Sequence, residues 1–335
     1  MLTLQEAEVF LLYRKYVLKK ILLLKQNQLQ NFLFMKKIFF LPALIIISCA
    51  AAFSQNKITQ TRDVSGFTFV HLQIPATVYV TQENHFSVQV SATQEVLDKI
   101  NTDVEDRALE ISGEQNDLWK NKNDSWKGKE DIVIYISMPK PNGLQVYGSG
   151  SIRAQNNFIT DYLSIEVHGS GEIVLKDFKT EKAEVSLRGS GNIEQGNCLA
   201  QGLVEELNGS GVIKVTSLMS TVMSLTLAGS GEIRIAQLQT EKLEATQGGS
   251  GTITLSKGMA SSILLENAGS GEIIAGGVTG ETVSAKVIGS GSISVGVVTA
   301  LEASVAGSGS VSYSGSPASI SKSVTGSGSV GKMQN

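Results

Sequence analysis

The chain has 335 residues and a formal charge of −3; 18% of its residues are charged and only 6% are aromatic. Residues 1–54 hold seven Lys/Arg against two acids, so −3 less that +5 leaves −8 for the remainder. An acidic body argues against a nucleic-acid partner, and 34 glycines with so few charges suit short strands and tight turns better than helices.

In chain order, residues 1–34 precede a second methionine, Met35, that opens Met35-Lys36-Lys37 like a natural start. They read as an upstream start called too early, with an amphipathic N-terminal helix as the competing reading. Residues 35–54 read as a secretory signal peptide: a basic start, an apolar run from Ile38 to Ile47 and small residues before Gln55. The run is shorter than the ~20 apolar residues of a membrane span. Simple cleavage before Gln55 is favoured over lipidation at Cys49, and both place the protein outside the cytoplasm, in the periplasm, on the outer membrane or beyond the cell. Cys198 is then the only cysteine left, so no intrachain disulfide forms and it reads as a small core hydrophobe.

Residues 57–141 alternate apolar and polar in short stretches such as Val78-Tyr79-Val80 and Ile132-Val133-Ile134-Tyr135-Ile136, so strands are expected. A helical turn is expected over residues 93–100 with Thr93 as its cap. The segment reads as irregular first coils that close one end of a larger body. Within it, residues 113–131 are polar and charged and carry both tryptophans, Trp119 and Trp126, beside Lys120 and Lys127. Indoles stack on sugars and lysines, and insertions on rigid scaffolds carry binding, so these four residues are the candidate ligand contacts.

From residue 142 a repeat takes over. Gly-Ser-Gly occurs ten times, beginning at Gly148, Gly169, Gly189, Gly209, Gly229, Gly249, Gly269, Gly289, Gly307 and Gly326. A period near 20 is the signature of a solenoid. Counting the first glycine as zero, offset +4 is Ile152, Ile173, Ile193, Ile213, Ile233, Ile253, Ile273, Ile293, Val311 and Val330. Apolar residues also recur at +6, −2, −4 and −6, the spacing of strands with one face inward. The predicted fold is an all-β parallel β-helix with ~20-residue coils stacked about 4.8 Å apart. It is expected to be right-handed, since the hexapeptide period of left-handed forms is missing. Each coil should hold a strand after the tripeptide, a corner near +9 and a strand into the next tripeptide. The serines Ser149, Ser170, Ser190, Ser210, Ser230, Ser250, Ser270, Ser290, Ser308 and Ser327 are expected to stack structurally, each hydroxyl bonding a neighbouring coil.

Catalytic signals are weak. Glu172, Glu232 and Glu272 at +3 are two or three coils apart, so the nearest pair is about 10 Å apart, at the edge of paired-carboxylate chemistry. Glu181, Glu241 and Glu281 at +12 read as a solvated corner with local pairing. His71, His85 and His168 look scattered, without metal-ligand spacing. No catalytic residue, metal or cofactor is expected.

Residues Arg62-Asp63-Val64-Ser65-Gly66-Phe67, Val78-Tyr79-Val80-Thr81-Gln82, Leu97-Asp98-Lys99-Ile100, Leu109-Glu110-Ile111-Ser112, Ile134-Tyr135-Ile136 and Gly148-Ser149-Gly150-Ser151-Ile152 together resemble the bacterial auto-transporter adhesin, head GIN domain, family. The resemblance implies an exported β-helical protein with adhesion as its role, and it supplies no ligand or catalytic residue. Only Gly331-Lys332-Met333-Gln334-Asn335 follows Val330, so no translocator barrel is expected. The expected function is a non-enzymatic envelope or secreted surface binding glycans or cell-surface components. The alternatives are a structural spacer without a ligand, and a polysaccharide-active enzyme.

Overall fold

The computed structural model describes residues 57–113 and 131–333; the upstream segment 1–34, the signal peptide 35–54 and Cys49 lie outside them. The described chain is 72% strand and 2% helix, wound into a parallel β-solenoid of about ten turns. The solenoid follows from the repeat. In one pair of adjoining coils Tyr162–Gly169 lies parallel and in register with Lys182–Gly189, so Leu163, Ile165 and Val167 stack on Ala183, Val185 and Leu187. Register is fixed because a one-residue slip would turn every inward side chain to solvent. From Ile152 to Ile273 the isoleucine at +4 is wholly buried in every coil.

Each coil has three sides, where the sequence predicted two strands and a corner. Offset +9 is itself part of a short parallel strand: Phe158–Ile159 pairs with Phe178–Lys179, which pairs with Cys198 and Leu199. Phe178, Cys198, Leu218 and Leu238 point inward and are buried, as the inward residues of a strand are. Cys198 is therefore core; burial, and then Glu205 nearby, push its thiol well above the ordinary value.

The tripeptide turns the chain between the third side and the next first side. Its two glycines are needed for different reasons. The first adopts positive φ, +130° at Gly189 and +139° at Gly209, a region that disfavours side chains. The second, buried in most coils, has no room: a Cβ on Gly211 would stand 2.4 Å from the Gly191 carbonyl oxygen and 2.7 Å from Leu187. The serines do not behave as predicted. All ten are exposed, and no hydroxyl of the ladder bonds a neighbouring coil among the described residues. The coils are joined there by backbone, with Ser210 N–H donating to Gly189 O at 2.9 Å and Ser190 N–H to Gly169 O at 2.8 Å.

The N-terminal end is closed by a different pairing. The strands are β1 (Ile58–Arg62), β2 (Phe69–Leu72), β3 (Thr77–Gln82), β4 (Ser87–Ala92), β5 (Ile100–Glu105), β6 (Ala108–Gly113), β7 (Val133–Met138), β8 (Gly143–Gly148) and β9 (Ser151–Ala154), with the helical turn α1 (Gln94–Leu97) after β4. Strands β2 and β3 make a first half-coil beneath β8 and β9, and β6 and β7 make another beneath that. Antiparallel strands then end the stack, β4 on β7, β1 on β4 and β5 on β6. Antiparallel pairing breaks the 20-residue rhythm and blunts the edge that a further coil would use. Thr93 is the N-cap of α1, as predicted, although its side chain makes no capping bond.

Polar side chains interrupt the interior at a few places. Gln195 Nε2 donates to Glu205 Oε1 at 2.9 Å, while Gln195 Oε1 and Glu205 Oε2 have no partner. Glu205 is wholly enclosed, and burial pushes its carboxyl up to about 7, against the opposing hydrogen bond from Gln195. Further along, Gln247 is fully buried with neither amide atom paired, and Asn267 donates to Gly271 O at 2.7 Å.

Candidate functional site

The site forms where the third side of the first coils meets the N-terminal cap. Parallel register brings four polar side chains into one outward row: Glu110 on β6, His71 on β2, Gln145 on β8 and Glu166 on the following strand. The next row toward the corner pairs Tyr147 with His168. Their rings stack with centroids 5.0 Å apart and 7° between planes. His71 meets Tyr147 edge-on at 6.5 Å. The sequence showed these histidines as scattered; the solenoid carries His71 and His168 to either side of one tyrosine. His85 stays apart, 3.5 Å from Glu83.

Hydrogen bonds fix the rows. His71 Nδ1 and Glu110 Oε1 are 2.5 Å apart, and Gln73 Nε2 donates to Glu110 Oε2 at 2.8 Å. Tyr147 Oη donates to Gln145 Oε1 at 3.0 Å, Gln145 Nε2 donates to Glu166 Oε1 at 3.2 Å, and His168 Nε2 lies 3.1 Å from Glu166 Oε2. Burial first, then the Glu166 and Glu110 carboxylates, raise the Tyr147 hydroxyl above its ordinary value. At neutral pH it stays protonated and donates. A groove of about 850 Å³ opens beside them, walled by His71, Glu110 and Tyr147, by Asp103 and Glu105 of β5, and by Gly113.

That groove borders the insertion singled out in the sequence. The segments from Leu72 to Thr77 and from Val146 to Ser151 turn this corner with four intervening residues each; the equivalent turn from Ile111 to Val133 takes 21. Trp119, Lys120, Trp126 and Lys127 lie within it, outside the described residues. The first side flanks the same corner with a second aromatic pair. Tyr79 and Tyr135 stack at 5.4 Å and 17°, Tyr135 is half exposed, and Arg153 follows in the row, ion-paired with Glu172.

Elsewhere the repeated acids are dispersed. Glu232 pairs with Arg234 and Glu272 accepts from Ser292, so with Glu172 on Arg153 the +3 acids are tied to neighbours and not to one another. Among the described residues no group of three His, Cys, Asp or Glu could hold a metal ion. No helix among them is long and apolar enough to cross a membrane.

A rigid parallel solenoid with an aromatic and acidic face at its capped end belongs to the class of repeat scaffolds that display a surface. The family model described as "Putative auto-transporter adhesin, head GIN domain" matches residues 66–219 and again 204–317, and the chain belongs to that family. Two solved structures share the fold. One, named "putative lipid binding protein" from Parabacteroides distasonis ATCC 8503, is 24% identical with a TM-score of 0.50, covering 83% of this chain and 97% of its own. The other, a "putative adhesin" from Parabacteroides merdae ATCC 43184, is 18% identical with a TM-score of 0.51, covering 83% and 96%. No curated protein matches the chain.

Proposed function

We propose that the protein is exported by a signal peptide at residues 35–54 and acts, without catalysis, as an adhesin that binds glycans at its capped end. The observation that carries this reading is the stacked Tyr147–His168 pair beside a groove walled by Glu110, Glu105 and Asp103. Sugars present apolar C–H faces to aromatic rings and hydroxyl groups to carboxylates and amides, and the site offers both within one groove. Trp119 and Trp126 are proposed to add stacking surface, with Lys120 and Lys127 beside them. In sequence these residues fall between Gly113 and Asp131, on the connection from β6 to β7.

A glycan array on the purified chain tests the reading. Binding to one or a few glycans is expected, with at least a tenfold loss on Tyr147→Ala and a further loss on Trp119→Ala plus Trp126→Ala. An array with no ligand, or binding indifferent to all three substitutions, refutes it. Polysaccharide turnover abolished by a single Glu→Gln change would make the protein an enzyme instead.

A further inference from the structure

The short second side of the coils carries a surface that the glycan site does not use. At offset +10 the outward side chains Leu199, Met219, Gln239 and Met259 adjoin one another in successive coils. Leu199 is 42% exposed, Met219 50% and Met259 61%; Thr279 follows Met259 in the row, and Val298, 54% exposed, lies close by across a register shift. Single exposed apolar residues need no explanation, but a row of them at one offset marks a contact surface. A groove of about 600 Å³ runs between Met219, Met259 and Val298, and Glu241 and Glu281 stand on its wall.

These acids are uncompensated. Among the described residues Glu241 and Glu281, with Glu181 in the same column, make no side-chain hydrogen bond or ion pair, contrary to the local pairing predicted for that offset. The adjacent Lys182 and Lys242 turn to the third side and pair with Glu184 and Glu244. The surface is therefore an apolar ridge bordered by free carboxylates. Both features recur every second coil, Met219 to Met259 and Glu241 to Glu281, a spacing of about 9.6 Å at ~4.8 Å per coil. An α-helix advances about 10.5 Å in seven residues. A helix lying along the solenoid axis, with one apolar and one basic residue per heptad, would meet each methionine and each acid in turn. A second copy of this chain fits poorly, because its −8 body would set acids against acids.

We infer that this side is a docking site for a cationic amphipathic helix, which seats its apolar stripe on Leu199, Met219, Met259 and Val298 and its Lys/Arg flank against Glu241 and Glu281. The test is fluorescence anisotropy of the full chain with labelled 21-residue helical peptides of three Leu/Lys heptads. The Lys-flanked peptide should bind. Met219→Ser plus Met259→Ser should weaken it at least tenfold. Glu241→Lys plus Glu281→Lys should do the same and confer binding of a Glu-flanked peptide, while Tyr147→Ala changes nothing. Equal affinity of either double variant, or of a scrambled peptide of the same composition, overturns the inference. So does adsorption of the chain to zwitterionic vesicles that the methionine variants abolish, which would assign the ridge to lipid.

Discussion

Glu205 makes stability depend on pH in a direction opposite to most carboxylates. Its ordinary value is 4.5, and burial raises it to about 7 in the folded chain. Below pH 4.5 the group is protonated in folded and unfolded chains alike and costs nothing. As pH rises from 4.5 toward 7 the unfolded chain ionises first, so this contribution to stability is lost progressively and is gone above pH 7. At 1.36 kcal/mol per pH unit the loss amounts to about 3 kcal/mol. The contacts show why the neutral form fits. Gln195 Nε2 serves Glu205 Oε1 and nothing serves Oε2, so an ionised carboxylate would be buried with a single hydrogen bond to hold its charge. Glu205→Gln removes the ionisation. Urea denaturation from pH 4 to 8.5 should show little difference from wild type at pH 4 and a gain of about 3 kcal/mol above pH 7. Because coils stabilise mainly their neighbours, hydrogen exchange over Gly202–Gly209 should report the change more sharply than a global melt. A difference between the two proteins that does not vary with pH would refute the reasoning.

Three further outcomes follow from the same interior. Gly209→Ala should cost at least ~3 kcal/mol by chemical denaturation, since its φ is +139° and a Cβ would stand 2.2 Å from Gly189 O, whereas Ser210→Ala should stay within about 0.5 kcal/mol because its hydroxyl is exposed and unbonded. Gln247→Leu should stabilise by ~1–3 kcal/mol, since both amide atoms are buried without partners and Leu227 fills the same place one coil earlier. Cys198 should resist iodoacetamide in the folded chain and react on unfolding in urea, so labelling followed by mass spectrometry should track unfolding of its coil.

The stacking was readable because isoleucine returns at +4 and glycine at 0 and +2, positions where packing and backbone conformation each leave little choice. The same alternation also settles the serine. With +2 and +4 inward, +1 must face out, so the expected hydroxyl ladder into neighbouring coils conflicted with the period it was read from. The third side was harder to see, because a two-residue strand such as Phe178–Lys179 carries too little alternation to separate it from a corner. The clustering of His71 with His168 was hidden for another reason. His71 lies in a coil that turns through Gln73-Ile74-Pro75-Ala76, so no Gly-Ser-Gly marks its register against Tyr147.

That unmarked register bears on where a specific site can form. In the regular coils every outward column repeats about every 4.8 Å against near-identical neighbours, so a residue there is one rung of a ladder. Such columns suit an extended partner that repeats as well, which is the property the Met219–Met259 ridge shares with a helix. A single constellation needs the rhythm broken. The break occurs where β4 and β5 run antiparallel and one corner takes 21 residues in place of four. Asp103 and Glu105 reach the groove from β5, a strand with no counterpart in the repeat, and Tyr147 and His168 come from the first coils to follow it. Transplanting a further Tyr–His pair to Asn208 and Ala228 would reproduce the ring stack but not the groove. The transplanted pair should therefore bind no glycan, while the pair at residues 147 and 168 still does.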